Sequence, residues 1–325
     1  MTLMTVQGDP SSEGVKSVDI DVSDYDAVVC YLSDTHQVDL ERVAHQRMVE
    51  AGFGLSEMAY FAVQEYYGRR LKSTADAAVR ELLYREAYGK FTRLQVQKGS
   101  VDQGVTPSVV ALARPLMEER DVLEIGSGNG GFAHQVMDIV SSYSFIEPSV
   151  DAAEYLINRI KPLGAPKHVI VGTVALLGAV QDEFDVIYCN DVYEHLHPDD
   201  AAAMVEACAR KLRRSGRLIL IASNKHFGPF DGTERYLGKG VPAAGLHINE
   251  TSYRELAMQL KANGFSKVCS PPMPMSLYAR LPQVIRRRMA WPWLVDARLK
   301  VLFESRWRFM APYMATTSVV VVAER

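Results

Sequence analysis

The sequence predicts an α/β protein built on a doubly wound, Rossmann-like, mostly parallel sheet of seven strands whose last strand is antiparallel. A helical N-terminal extension and a helical insertion before the last strand complete the expected fold class. Three observations support this. From Asp121 onward, short β-branched runs alternate with helical runs at the spacing of βαβ units. Residues 121–132, "DVLEIGSGNGGF", place a knot of glycines directly after a strand-like run. Glycine weakens a regular element, so this density marks a sharp turn or a close approach of something to the backbone. Finally, a helical pattern precedes the glycines, and a long basic, aromatic stretch separates the last two strand-like runs.

In chain order, residues 1–24 are small, polar and acidic and read as a mobile tail. Residues 25–110 read as a helical cap. Leu40, Val43, Ala44 and Met48 share one helical face, and Val79, Leu82 and Leu83 repeat the pattern within "TADAAVRELLYREAYGKF". Residues 111–325 form the expected main domain. Its strands are "DVLEIG", "YSFIE", "HVIVG", "EFDVIYCN", "GRLILIAS", "SKVCS" and "TSVVVVAE". Its helices are "GGFAHQVMDIV", "SVDAAEYLINRI", "PDDAAAMVEACARKL" with Pro198 in its first turn, and "TSYRELAMQLKANGF". Ser252 and Glu255 of the last are spaced as a capping box, and Gly264 stops it.

Residues 272–315 are an expected helical, lid-like insertion. Trp291, Trp293 and Trp307, the chain's three tryptophans, lie there, with eight basic residues between Arg280 and Arg308 against Asp296 and Glu304. Three roles are open to it: a lid or homo-oligomer contact, an amphipathic face for an acidic membrane surface, or packing with solvated charge. As a lid it would lie over the carboxyl edge of the sheet against the N-terminal helices, with Leu281, Val284 and Ile285 facing Val79, Leu82 and Leu83.

Net charge is −3, which lacks the basic footprint of a nucleic-acid binder. Cys30, Cys189, Cys208 and Cys269 are widely spaced with no CxxC, and no signal peptide is read at the N-terminus, so a cytoplasmic location is expected. The longest apolar run, Val169–Val180, is too short to span a bilayer.

A glycine-rich turn between strand and helix presents backbone N–H groups and the positive end of a helix dipole. Gly126, Gly128 and Gly131 satisfy GxGxxG, which keeps an NAD-dependent oxidoreductase open as the alternative. Glu147 ends the next strand 21 residues after Gly126, where a carboxylate can accept from a ribose diol. Both nucleotide families share that feature.

Glu124, Gly126, Gly128 and Gly130 also spell E-x-G-x-G-x-G. With "FDVIYCNDVYEHLHPDD", "LRRSGRLILIASN" and the terminal "SVVVVAER", the chain resembles the class I S-adenosylmethionine-dependent methyltransferases over about 111–271 and 316–325. The resemblance implies S-adenosylmethionine as cofactor. It would be held by Glu124, Gly126, Ser127, Gly128, Gly130, Glu147, Pro148, Asn190 and Asp191. An acid often holds the adenine amino group after the third strand of that family. Here the run is "VGTVALL", so the place falls to Thr173 and Val174.

Methyl transfer to a hydroxyl requires alignment and a proton acceptor. Candidate groups should follow strands four and five, where doubly wound sheets bind ligands. His195 is one proton-acceptor candidate, with backbone bonding or packing as its bland reading. His247 is the other and is slightly favoured, against a capping role. Asp191, Glu194 and His195 are spaced D-x-x-E-H, which resembles a magnesium-binding motif of some quinone-pathway O-methyltransferases, so a magnesium site is a further alternative. The glycine-rich loop from Ser223 to Glu250 resembles that of bacterial methyltransferases acting on sugars and small metabolites. Lys225, His226, Arg235 and Tyr236 lie within it. The expected substrate is a small polar metabolite or glycan, methylated on oxygen.

Overall fold

A computed structural model describes residues 2–5, 55–97, 106–234, 240–271, 294–305 and 318–325, with 280, 282 and 284 as isolated positions. Thr2–Thr5 forms β1. Two long helices follow, α1 (Leu55–Ser73) and α2 (Ala77–Gln97), and then α3 (Pro107–Met117). The alternating unit comprises β2 (Asp121–Ile125), α4 (Ala133–Val136), β3 (Ser142–Glu147), α5 (Val150–Ile160), β4 (His168–Val171) and β5 (Phe184–Asn190). It continues with α6 (Pro198–Lys211), β6 (Leu212–Ser223), α7 (Tyr253–Ala262) and β7 (Lys267–Ser270). The short β8 (Val295–Asp296), α8 (Arg298–Ser305) and β9 (Ser318–Glu324) complete the described elements.

The described strands form one nine-stranded sheet ordered β1-β4-β3-β2-β5-β6-β9-β7-β8. The seven expected strands are its centre, with β9 antiparallel between β6 and β7. The two additions lie at the edges: β1 pairs parallel with β4, and β8 antiparallel with β7. Thr2–Thr5, inside the segment expected as a tail, is therefore an edge strand, four residues too short for an alternation pattern to register. Residues 6–24 lie outside the described residues, as do Leu40, Val43, Ala44, Met48 and Cys30 of the expected cap.

β9 carries four consecutive valines, Val319–Val322, all buried because both faces of the central sheet are covered. Val319 and Val321 join the core that also holds Tyr67, Leu83, Tyr84 and Phe91 of α1 and α2. Val320 and Val322 join the opposite core with α3 and α5. Burying each such side chain stabilises the fold by roughly 1.5–3 kcal/mol.

α4 runs only from Ala133 to Val136, shorter than the expected 130–140, because the glycine turn delays its start and Met137 is its C-cap. The cap of α7 agrees with the sequence: Ser252 Oγ accepts from the Glu255 N–H (3.2 Å) and donates to Glu255 Oε2 (3.0 Å). Of the contacts expected beneath the insertion, Leu83 is buried in the main core, while Leu82 and Val284 are exposed. Leu281, Ile285, Trp291, Trp293 and Trp307 lie outside the described residues, and the lid reading of 272–315 falls largely there.

Candidate active site

The chain runs β2, β3, β4 outward in one direction and then places β5 on the other side of β2. This reversal is the topological switch point, where doubly wound sheets bind ligands beyond the strand carboxyl ends. A cavity of about 500 Å³ opens there. Ile125, Gly126, Gly128 and Asn129 border it after β2, Glu147 and Pro148 after β3, and Asn190, Asp191 and Val192 after β5.

The glycines divide the work of the turn. Gly126, Gly128 and Gly130 have φ of 71°, 52° and 75°, in the left-handed region. A Cβ on Gly126 would lie 2.3 Å from Val192 Cγ2, and one on Gly130 would lie 2.8 Å from Leu156 Cγ. These two glycines let the turn pack against its neighbours. A Cβ on Gly128 would meet no protein atom within 4 Å, so the space above it is cavity.

Glu147 is buried and lines the cavity. Its Oε2 accepts from the Gly128 N–H (2.8 Å) and its Oε1 from the Ser149 N–H (3.0 Å). A carboxylate offers about four lone-pair directions, so capacity remains for two hydroxyl donors. Burial outweighs the two N–H bonds and pushes its pKa up to about 7.

Glu124 behaves differently from the expectation. Alternation along β2 turns it to the other face, where the Tyr143 hydroxyl donates to Oε2. It does not line the cavity, and burial pushes its pKa up to about 8. Ser127 and Gly130 also shape the turn without lining the cavity.

Thr173 and Val174 line it. The Thr173 hydroxyl donates to Glu81 Oε2, and its backbone N–H donates to Glu81 Oε1 (3.3 Å). A carboxylate of α2 thus holds Thr173, without itself lining the cavity.

α2 roofs the cavity from end to end. Near its start, Arg80 makes a bidentate pair with Asp200 of α6 (2.7 and 2.6 Å), and the Tyr84 hydroxyl donates to the same carboxylate (3.0 Å). Near its end, Thr92 Oγ1 lies 3.0 Å from Ser149 Oγ at the start of α5. Between these anchors Tyr84, Tyr88, Phe91, Thr92 and Gln95 face the cavity, with Gln64 from α1. α1 is held close by Gly68, where a Cβ would sit 2.2 Å from the Gly245 carbonyl oxygen.

His195 and His247 meet edge-to-face at 4.6 Å between ring centroids, and both line the cavity. His195 is half-buried at the cavity wall. Burial, with the nearby charge of His247, drives its pKa down to about 3 against a hydrogen bond to the Leu246 backbone. The backbone bond expected as its bland role is thus present, and its Nδ1 has no hydrogen-bond partner among the described residues. His247 Nδ1 lies 3.0 Å from Glu250 Oε1. Burial opposes its charged form, but the bond to Glu250 and the charges of Glu194, Glu250 and Asp231 outweigh burial, so it titrates above the usual histidine range.

The magnesium reading of Asp191, Glu194 and His195 needs correction. Glu194 turns inward, where Oε1 accepts from the Ser223 N–H (2.9 Å) and hydroxyl (3.0 Å), and it does not line the cavity. Asp191 stays at the cavity with φ of 53°, accepting from Asn190 Nδ2 (2.8 Å). The short 3₁₀ turn Tyr193–His195 directs these side chains apart. Among the described residues no group of three or more His, Cys, Asp and Glu side chains is placed to hold a metal.

Sequence reasoning missed Glu81, Glu250, Asp231 and the α2 residues. Glu81 acts across a chain distance that no local pattern exposes, whereas Glu250 lies only three residues from His247, in a loop with no regular period to mark the pair. The signal for α2 was present: Tyr84, Tyr88, Phe91 and Gln95 recur at helical spacing on one face.

The sheet order, the glycine turn and Glu147 beside the cavity define a Rossmann-like methyltransferase fold. Residues 99–270 match the family model described as a methyltransferase domain, and the chain belongs to the class I S-adenosylmethionine-dependent methyltransferase family. The residues fit that cofactor: Gly128 leaves room above its backbone, and Glu147 keeps acceptor capacity for a diol. The chain is 30% identical over 155 residues to a Mycobacterium tuberculosis protein named "Probable S-adenosylmethionine-dependent methyltransferase", covering 47% of this chain and 52% of the relative. It is 26% identical over 172 residues to a bassianolide nonribosomal cyclodepsipeptide synthetase of Beauveria bassiana, covering 50% of this chain and 5% of that protein. The chain thus spans about half the length of the mycobacterial relative and a small part of the fungal one. Among solved structures, the magnesium protoporphyrin IX methyltransferase of Synechocystis PCC 6803 with bound SAH aligns at 15% identity and a TM-score of 0.41, covering 81% of this chain and 98% of that one. No helix among the described residues is long and apolar enough to cross a membrane.

Proposed function

We propose that the protein transfers the methyl group of S-adenosylmethionine to a hydroxyl oxygen of a small polar metabolite or glycan, with His247 as the proton acceptor. One observation carries this reading. A histidine held by a carboxylate through Nδ1 faces the same cavity as the glycine turn and Glu147. Family membership supports the cofactor, and the NAD-dependent alternative finds no support in the comparisons.

Glu147 would accept from the ribose hydroxyls, and the turn at Gly126–Gly128 would pass beneath the amino-acid end. Thr173 and Val174 would border the adenine, with Pro148, Asn190 and Asp191 completing the wall. Bound there, S-adenosylmethionine supplies a methyl group on a cationic sulfonium. The chain's own part is alignment, exclusion of water by the α2 roof, and proton removal. His247 suits the last task because Nδ1 is engaged and Nε2 has no hydrogen-bond partner among the described residues. His195 does not suit it, since a ring with a pKa near 3 holds a proton poorly at neutral pH. Its unpartnered Nδ1 suits it to accept a hydrogen bond instead. Removing a positioned base lowers rate by roughly 10²–10⁴.

The test is transfer of label from methyl-tritiated S-adenosylmethionine to a panel of sugars, glycosides and phenols, run beside His247→Gln and His195→Gln. Label transfer that collapses in the first variant and persists in the second is expected. Equal turnover in all three proteins would leave alignment alone as the catalytic device and refute the base. Label reaching amines but no hydroxyl would refute the oxygen assignment.

A further inference from the structure

We propose that Glu250 is the positioning residue of the site: it fixes His247 as the Nδ1–H tautomer and turns Nε2 toward the acceptor. This rests on the reading of His247 as proton acceptor.

Geometry carries the assignment. Glu250 Oε1 receives two contacts, from the Phe230 N–H (2.8 Å) and from His247 Nδ1 (3.0 Å). The backbone N–H can only donate, so this oxygen is an acceptor, and a protonated Nδ1 is the partner it favours. Both side chains are largely buried, at 13% and 9% exposure, so water competes weakly for the pair. The carboxylate cannot swing away easily. A Cβ placed on Gly228 would lie 2.4 Å from Oε2, which shows how closely the 228–230 backbone grips that oxygen. Glu250 sits three residues after His247, just before the Ser252 cap of α7. The histidine's orientation is therefore tied to a capped helix start. This is the general arrangement by which a buried carboxylate selects a tautomer and supports the cationic ring that forms after proton transfer.

The groups facing His247 are of one sign apart from its neighbouring imidazole. Glu250, Glu194 and Asp231 act on it; burial raises the pKa of Asp191 and lowers that of His195, and the charge of His247 opposes the first shift and adds to the second. Glu194 accepts no hydrogen bond from the ring among the described residues and is held by Ser223. Asp231 is held by the Thr233 N–H (3.0 Å) and the Gly245 N–H (2.7 Å). Only Glu250 among these carboxylates makes a hydrogen bond to the imidazole among the described residues. With S-adenosylmethionine bound, the acceptor O–H proton would pass to Nε2 as the methyl group moved from sulfur to oxygen, and the imidazolium so formed would sit beside Glu250.

Glu250→Gln is the informative variant. It keeps an oxygen for both the Phe230 and His247 contacts and removes only the charge. Histidine-selective ¹⁵N NMR of the full chain reads tautomer and titration directly, with the His247 signal assigned by its loss in His247→Gln. The native protein should show the Nδ1–H tautomer and a His247 midpoint above the ordinary histidine value. Glu250→Gln should lower that midpoint by about one pH unit or more, and Glu250→Asp should recover part of the shift. Affinity for S-adenosylhomocysteine, measured by calorimetry, should stay unchanged in Glu250→Gln, showing the cavity intact. An Nε2–H tautomer in the native protein, or an unmoved midpoint in Glu250→Gln, overturns the proposal. These readouts need no turnover, so failure of the base reading in the label-transfer assay stays distinguishable from failure of the pairing.

Discussion

The bidentate pair between Arg80 and Asp200 ties the cavity roof to the sheet domain, and replacing Asp200 with Ala should show how much. The Arg80 side chain is 3% exposed and that of Asp200 18%. Removing one partner of a buried pair leaves an uncompensated charge and costs roughly 3–5 kcal/mol. Arg80 would keep the carbonyls of Thr74 (3.0 Å) and Ala75 (2.7 Å), and water reaches Asp200 already, so the lower end, about 3 kcal/mol, applies. Tyr84 would also lose its carboxylate acceptor while still accepting from the His197 N–H (2.6 Å). For a chain of this size the midpoint should fall by about 2–4 °C per kcal/mol, or roughly 6–12 °C. Urea titration and a thermal scan measure this. The double variant Arg80→Met with Asp200→Leu should recover most of the loss, because well-packed apolar residues can replace a buried pair. A loss under about 1 kcal/mol in Asp200→Ala, or no recovery in the double variant, would refute the clamp.

Three further outcomes follow from the same structure. Glu147→Ala should weaken S-adenosylhomocysteine binding by removing two charge-assisted hydrogen bonds, each worth roughly 1.5–3 kcal/mol; unchanged calorimetric affinity would remove Glu147 from the site. Gly128→Val should abolish cofactor binding; with Ala at each position, so that both carry the strain of a positive φ, Gly126→Ala should destabilise more than Gly128→Ala because only the former adds a contact, 2.3 Å from Val192; equal melting temperatures for the two alanine variants would contradict this division. Glu124, at a pKa of about 8 in the fold against 4.5 ordinarily, binds its proton more tightly when folded, so its contribution to stability declines as pH rises from about 4.5 through 8. Glu124→Gln should therefore gain stability relative to the native chain at pH 8 and little at pH 5, checked by urea denaturation at both.

The sheet, its antiparallel last strand and the positions of Gly126, Gly128 and Glu147 were legible because local patterns specify them: period-two or all-apolar strands, a glycine knot and a fixed offset along one βαβ unit. The two histidines were legible as candidates, with His247 favoured, but not as neighbours. Their edge-to-face contact joins positions 52 residues apart and is set by tertiary packing. Glu81 shows the limit most clearly. It lies 92 residues before Thr173, on a helix whose periodicity identifies an apolar face but not what a polar neighbour will touch. Glu124 shows a second limit. Its spacing matched a motif, yet strand alternation turned its side chain from the cavity toward Tyr143.

The position of β9 bears on how the molecule is made. Residues 318–324 lie between β6 and β7, so the two strands β7 and β8 at one edge of the sheet have nothing to join them to β6 until β9 is made. A chain still threaded through a ribosome exit tunnel would hold β7 as an unattached segment and β6 as an open edge. Edges of that kind invite pairing with other chains. Synthesis of this protein thus passes through a stage in which β2 to β6 can assemble but remain unsealed, and completion waits for the final valine-rich strand. A stall or premature stop before residue 318 would leave an unsealed sheet edge open to pairing with other chains.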